Sequence, residues 1–273
     1  MSLRTNLFGA ACALALVSFS APAFAQFNGV LSGDYSHINV SHGGGNANDY
    51  GVSGAGAFGL GANWDVQVDG GYHRLTGGGS DANNWNVGGA AYWSGYSARL
   101  GAVVGYDDVT GGGADAHATN YGGFVDWYVA DWLTFAVKGG WHNGSVTVDN
   151  PVPPPASIKA NANGEYGGAN MTFYLAPDLS LAGYYDYAHF KNFITENDYT
   201  AEAEWLISER MPVSLYAGYT RSAFAGTGGA DANTVFVGLR FYCDPVRGAS
   251  LVARQRGGAE IYGTNFGPAA LHL

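Results

Sequence analysis

Residues 64–93 read WDVQVDGGYHRLTGGGSDANNWNVGGAAYW. Trp64, Val66, Val68, Gly70 and Tyr72 fall at every second position, and Asp65, Gln67, Asp69, Gly71 and His73 fall between them. Alternate side chains of a β-strand point to opposite faces, so this segment has one apolar and one polar face. The polar stretch Thr76–Asn83 then predicts a loop. Beyond it Trp85, Val87, Gly89, Ala91 and Trp93 alternate with Asn84, Asn86, Gly88, Ala90 and Tyr92. The pair reads as a hairpin that is greasy on one face, polar on the other and aromatic at both ends. That is the pattern of a transmembrane β-barrel.

Composition permits the whole chain to follow it. Of 273 residues 43 are Gly and 9 are Pro, aromatics make up 14% and charged residues only 12%. The charged share is about half that of an ordinary soluble domain. Mean hydropathy is nonetheless −0.04. After the N-terminus no apolar run approaches the ~20 residues that a membrane helix needs. Low charge without long apolar runs fits segments whose two faces differ, and the aromatic content argues against disorder. Residues 1–25 read as a signal peptide, with Arg4 as its positive start, Leu7–Val17 as its apolar core and Ala23-Phe24-Ala25 as its cleavage site. Without Arg4, acidic residues outnumber basic ones 22 to 11, which excludes nucleic acid as an expected partner. Cys243 is then the one cysteine left, so no intrachain disulfide is expected.

Taken in order, residues 26–242 divide into about twelve alternating segments, an even number. The fold expected is all-β, an up-and-down antiparallel transmembrane barrel. Short turns such as Gly61-Ala62-Asn63, Val129-Ala130-Asp131 and Ala176-Pro177-Asp178 alternate with longer polar stretches. The latter, Ser41–Asn48, Asp107–Ala118, Asn143–Asn161 and Ser222–Asp231, are read as external loops.

The rims agree. Trp64, Trp93, Trp127 and Trp205 fall at the short-turn end of the apolar face. Tyr72, Trp85, Tyr106, Trp141, Tyr187, Tyr199 and Tyr219 fall at the long-loop end. Amphipathic rings favour an interface because one edge stays wet. From Trp64 to Tyr72 is eight steps; at about 3.4 Å each and a tilt of ~40° they rise roughly 20 Å, close to the apolar band of an outer membrane. A soluble β-sandwich also alternates but would not carry aromatics at both ends of strand after strand. An internal repeat supports the hairpin as the unit: His42-Gly43-Gly44-Gly45, Thr76-Gly77-Gly78-Gly79 and Thr110-Gly111-Gly112-Gly113 start 34 residues apart. Calcium-binding glycine repeats have a period of about nine, so these read as loops.

These residues resemble the porin-like, or OmpA-type, outer-membrane β-barrel families of Gram-negative bacteria. The likeness rests on architecture and rim pattern across residues 26–242. The strand Val235–Tyr242 is similar to the terminal aromatic strand that the barrel-assembly machinery recognises in that group. The resemblance implies outer-membrane lipid and lipopolysaccharide as surroundings, the assembly machinery as a partner during insertion, and small polar solutes as cargo. The chain departs from the pattern by continuing through Cys243–Leu273. That tail carries Arg247, Arg254 and Arg256; it either enters the lumen to meet acidic groups or lies in the periplasm.

Strand parity turns Asp65, Gln67, Asp69, Asp126, Asp186, Glu202 and Glu204 inward, with Arg99, Lys138 and Arg240 against them. Buried charges in a narrow barrel pair with one another, and the same groups would make an acid-biased pore. His73 and His142 stand near the external mouth, with Asp107 and Asp115 in reach. No spacing singles out a catalytic set, a cofactor motif or a metal-ligand motif, so no enzymatic activity is expected. Passive diffusion of small hydrophilic solutes is the leading expectation. A structural or surface-interaction barrel with a closed lumen is the alternative, and a membrane-embedded hydrolase comes third.

Overall fold

The computed structural model describes residues 27–41, 45–77, 80–111, 113–150, 156–191, 194–208, 211–226, 231–243 and 249–260. The signal-peptide segment lies outside them, as do residues 244–248 and 261–273 of the tail. The strands are β1 (Phe27–Val40), β2 (Gly45–Gly61), β3 (Trp64–Gly77), β4 (Ser80–Ser94), β5 (Ala98–Gly111), β6 (Ala114–Ala130), β7 (Leu133–Asn150), β8 (Ala156–Asn161), β9 (Gly164–Ala176), β10 (Leu179–Phe190), β11 (Ile194–Ser208), β12 (Met211–Gly226) and β13 (Asp231–Cys243). Each barrel strand pairs antiparallel with the next, and β1 closes on β13 from Gly29–Cys243 to Val40–Ala232. Closure removes both sheet edges, the condition for strands in lipid. Twelve strands make the barrel. The thirteenth, β8, pairs only with the outer end of β7, from Ser145–Asn161 to Asn150–Ala156.

Between the two rims the face alternation is as expected. Outward residues such as Val68, Val104 and Leu239 are exposed to lipid, while Gln67, Asp69 and Arg99 are buried inside. At the short-turn end the chain reverses through Gly61, Ala62 and Asn63, all at positive φ. This is backbone that Gly and Asn tolerate, and Ala62 is the exception there.

The external end departs from the expectation. The stretches read as loops are mostly strand: β2 begins at Gly45, β5 runs to Gly111 and β6 resumes at Ala114. The Asn143–Asn161 stretch holds the outer end of β7 paired with β8, and residues 151–155, with their prolines, lie outside the described residues. The barrel therefore stands well above the membrane, and there its polarity reverses. Outward positions become Asn39, Asn46, Asn48, Arg74, Asn83 and Asn233. Inward ones become Ile38, Val40, Leu75, Val109, Ala118 and Phe224, all buried. A strand pair in water buries its apolar face inward; the same pair in lipid turns that face outward. The change of sign at the tyrosine rim is the change of solvent.

Rim tyrosines mark the level. Tyr35, Tyr72 and Tyr185 donate to Asn48 (2.8 Å), Asn83 (2.6 Å) and Asn197 (2.9 Å), each one pair higher on the neighbouring strand, and Tyr219 bonds Asn233 likewise. The glycine repeat reappears at the tips. Gly77 and Gly111, 34 residues apart, have φ of 146° and 135°. A Cβ on either would meet a neighbouring carbonyl, Asn46 O at 2.5 Å and Asp81 O at 2.3 Å.

The described part of the tail, residues 249–260, lies inside the barrel. A short helix, α1 (Leu251–Gly257), is capped by Ser250, whose hydroxyl accepts from Ala253 N. Leu251, Arg254 and Ala259 are buried against the inner wall.

Candidate functional site

Among the described residues the buried ion pairs lie in the lumen. Its lowest tier is built on Arg99 of β5. The Arg99 Nε pairs with Asp126 Oδ2 at 2.7 Å, and its Nη2 lies 2.9 Å from Glu260 Oε1. The guanidinium also faces the rings of Tyr92 and Phe124 at 5.2 and 5.9 Å, and aromatic faces favour a cation held there. A second group centres on Glu204 of β11. It accepts from Tyr242 and Ser214 at 2.5 Å and from Gln255 at 3.0 Å, and it pairs with Arg240, which also reaches Glu202 at 3.5 Å. Lys138 of β7 pairs with Asp186 of β10 at 2.8 Å. Of the other wall residues read from the sequence, Asp65 accepts from Ser94 at 2.9 Å, and Gln67 donates to Asp69 at 3.4 Å. All ten lie on the inner wall, joined in separate groups rather than in one constellation.

The rim aromatics face outward. Trp64, Tyr72, Trp85, Trp127, Trp141, Tyr199, Trp205 and Tyr219 are exposed, and Trp93, Tyr106 and Tyr187 are half-buried. On β10 the ring stacked at rim level is Tyr185, 5.3 Å from Tyr199, with Tyr187 one pair above it.

Residues 249–260 span the periplasmic mouth. Leu251 N donates to Pro177 O in the β9–β10 turn at 2.7 Å. Arg256 donates to Ala130 O (2.5 Å), Leu133 O (3.0 Å) and Thr134 Oγ1 (3.0 Å), and its guanidinium covers Tyr128 and Tyr174. Tyr128 donates to Arg256 O, and Arg99 to Gly258 O at 3.0 Å. Glu260 N donates to Gln67 Oε1 of β3 at 3.1 Å, and Gln67 donates back to Glu260 O. The β9–β10 turn and β3 lie half-way round the barrel from each other, so the segment crosses its diameter. Sequence parity could not place it: a strand's period says nothing about a chain that leaves the sheet. The tail's arginines predicted contacts with acidic wall groups, but Arg256 meets carbonyls and rings, and the ion pair that joins the segment to the wall is its own Glu260 on Arg99.

Above the segment lies a cavity of about 260 Å³ lined by Asp126, Lys138, Tyr184, Asp186, Arg240 and Gln255 among others. It has room for several waters and carries charged groups on an otherwise largely apolar lining, a local chamber rather than a bore. Higher still comes a tier of Asp49, His73, Asn84, Asp107, Asn120 and His142. Here His73 contacts Asp49 at 2.9 Å, and Asn120 bonds both Asp107 and His142. Above this tier the interior is mostly apolar, with Glu196 of β11 buried beside Phe224. Ile38, Val40, Ala47, Leu75, Ala82, Phe224 and Ala232 form one cluster, with Ile38 and Ala232 wholly inaccessible.

A hydrolase would need a nucleophile beside an oriented base. Ser145 Oγ lies 3.2 Å from His117 Nε2 on the outer face above the rim. Ser145 is buried, however, and among the described residues no carboxylate pairs with His117. His73 and Asp49 face inward, and Asp115 is exposed on the outside.

No family model matches this sequence, and no curated protein does. Solved structures do resemble it. The COG4313 outer membrane channel from Pseudomonas putida F1 aligns with a TM-score of 0.57 at 7% identity, covering 80% of this chain and 95% of that one. The translocator domain of the autotransporter NalP from Neisseria meningitidis aligns at 0.54 and 12%, covering 86% and 95%. The β domain of the Bordetella autotransporter BrkA aligns at 0.51 and 13%, covering 79% and 99%. At such identities the likeness is one of fold. With the closed barrel, the lipid-facing band and the two aromatic rims, it makes this chain a β-barrel of the Gram-negative outer membrane.

Proposed function

We propose that the protein is an outer-membrane channel for small hydrophilic solutes that rests shut, with residues 249–260 as its movable plug. The observation that carries the reading is the chemistry of the plug's contacts. Gln255, Arg256, Gly258 and Glu260 are held by hydrogen bonds and ion pairs to the wall. Water can replace such contacts at a net cost of about 0.5–1.5 kcal/mol for each neutral hydrogen bond and about 1.5–3 kcal/mol for each bond to a charged group. A segment held largely this way, with Leu251 and Ala259 as its apolar contacts, is releasable, and the cavity above it, with charged groups on its walls, is the space a solute would enter. A porin open at all times is disfavoured by the same geometry.

The test is single-channel recording. The full-length protein is expected to be silent or to open rarely in a planar bilayer. Arg256→Ala combined with Glu260→Ala, which removes the plug's side-chain contacts with the β6–β7 turn and with Arg99, is expected to raise the open fraction at least about tenfold, a shift of ~1.4 kcal/mol in the closed–open balance. A second reading, a permanently closed barrel serving as scaffold or surface protein, is favoured by the apolar packing around Ile38 and Leu75. Silence of the loosened variant, folded by its heat-modifiable gel mobility, would replace the channel with that reading.

A further inference from the structure

We propose that Asp34, Asp49 and His73 form a binding site for a divalent first-row transition cation, with Zn²⁺ as the reference ion, on the inner wall at the external rim. Asp34 of β1, Gly51 of β2 and His73 of β3 stand side by side in register. Asp49 sits on the same inner face, two residues above Gly51. The absent side chain at Gly51 makes the space. A Cβ there would come within 2.4 Å of His73 Cε1 and 2.8 Å of Asp34 Oδ1, so the two side chains lean over Gly51 towards each other. One ligand atom from each of the three residues lies within 4.8 Å of the other two, and no other such trio exists among the described residues.

A second observation points to a ligand. Asp49 is 1% exposed, its Oδ2 meets His73 Nδ1 at 2.9 Å, and its Oδ1 is buried with no hydrogen-bond partner among the described residues. Burying a carboxylate is costly unless it is paired. The groups facing the trio from other strands supply little: Tyr216 of β12 reaches Asp34 Oδ1 only at 3.5 Å, and Arg240 of β13 is engaged by Glu202 and Glu204. Two carboxylates and a neutral imidazole carry two negative charges, which one divalent cation balances. Imidazole with carboxylate oxygens is a donor set that Zn²⁺ accepts.

The geometry is near what such an ion needs. Bonds of about 2.0–2.2 Å put tetrahedral ligands roughly 3.3–3.6 Å apart. The 2.9 Å contact between His73 and Asp49 must open slightly and the wider separations must close. Both are side-chain rotations. Three protein ligands leave a position open to water on the lumen side, where Asp34 is only half-buried. The competing way to balance this charge is a proton on His73, and binding measurements separate the two.

The full-length protein, refolded in detergent and stripped with chelator, would be titrated with ZnCl₂ by calorimetry and with CoCl₂ by visible absorption. The expected result is one Zn²⁺ per chain and Co²⁺ bands of a low-symmetry nitrogen–oxygen site. Affinity should fall by at least about tenfold in Asp49→Asn and in His73→Asn, and stay unchanged in the surface control His37→Asn. Folding of each variant is read from heat-modifiable gel mobility. If either inner variant fails to fold, Asp34→Asn, at the most accessible ligand, carries the test. Absence of stoichiometric binding, or binding that survives these substitutions, would overturn the site and leave the proton on His73 as the explanation.

Discussion

Arg99 shows what a single inward charge does here. Its guanidinium is almost wholly buried, yet it holds Asp126 on the wall and Glu260 on the plug at once. Replacing Arg99 with Met would leave Asp126 buried without its partner. Breaking a buried pair from one side typically costs about 3–5 kcal/mol. Urea titration of the refolded protein in lipid vesicles should show a loss of that order for Arg99→Met. Removing both charges in Arg99→Met with Asp126→Leu should recover most of it. Equal losses in the single and double variants would mean that the pair is not what holds this region. Half of the arrangement was legible from sequence, because parity alone turns Arg99 and Asp126 inward. The other half was not: Glu260 lies in a segment without strand periodicity, and no pattern along the chain announces a contact across the lumen.

The strands illustrate the same boundary at a larger size. Within the membrane the alternation of apolar and polar residues delivers strand number, facing and rims, because lipid imposes one sign on every strand. Above the rim that sign reverses, and segments rich in Gly, Asn and Asp read as loops although β2, β5, β6 and β7 run through them. The protruding part of β11 carries a testable consequence. Glu196 lies beyond the Tyr199 rim and is buried; burial, reinforced by Asp198 and Asp186, holds its carboxyl well above the usual carboxylate range. The folded protein therefore binds this proton at higher pH than the unfolded chain, whose carboxyl titrates near pH ~4.3. Stability contributed by this group falls as pH rises from that value through the raised one, and returns on acidification. Hydrogen-exchange protection over residues 194–198 and 222–226, corrected for intrinsic rates, should be higher at pH ~5 than at pH ~7.5. Glu196→Gln should hold the higher protection at both. A variant that keeps the wild-type pH dependence would assign the effect elsewhere.

As a whole molecule the barrel is a stack of fillings. The 249–260 segment lies at the bottom, a chamber with charged groups on its walls and an acid-rich tier above it, and an apolar cluster at the top. The strand pattern gave the wall and left the fillings open, since what packs across a lumen is decided by residues on opposite sides. The fillings also fix what an opened channel would prefer. In the chamber Lys138 is balanced by Asp186, and Arg240 by Glu202 and Glu204. Arg99 would lose Glu260 when the plug leaves but keeps Asp126. The upper tier brings Asp49 and Asp107 to the inner wall, with Asp69 below them, and the nearest histidine, His73, offers at most one positive charge against Asp49. Net negative potential inside a low-dielectric wall raises the local concentration of cations and excludes anions. The plug-loosened Arg256→Ala, Glu260→Ala channel should therefore be cation-selective. In a KCl gradient its reversal potential should lie on the potassium side of zero, and more so at low salt, where the Debye length approaches ~30 Å at 0.01 M. Adding Asp107→Asn should move it towards zero without changing the open fraction, because Asp107 lies on the far side of the chamber from the plug. An anion-selective current would mean that ions pass by a route other than this acid-rich tier.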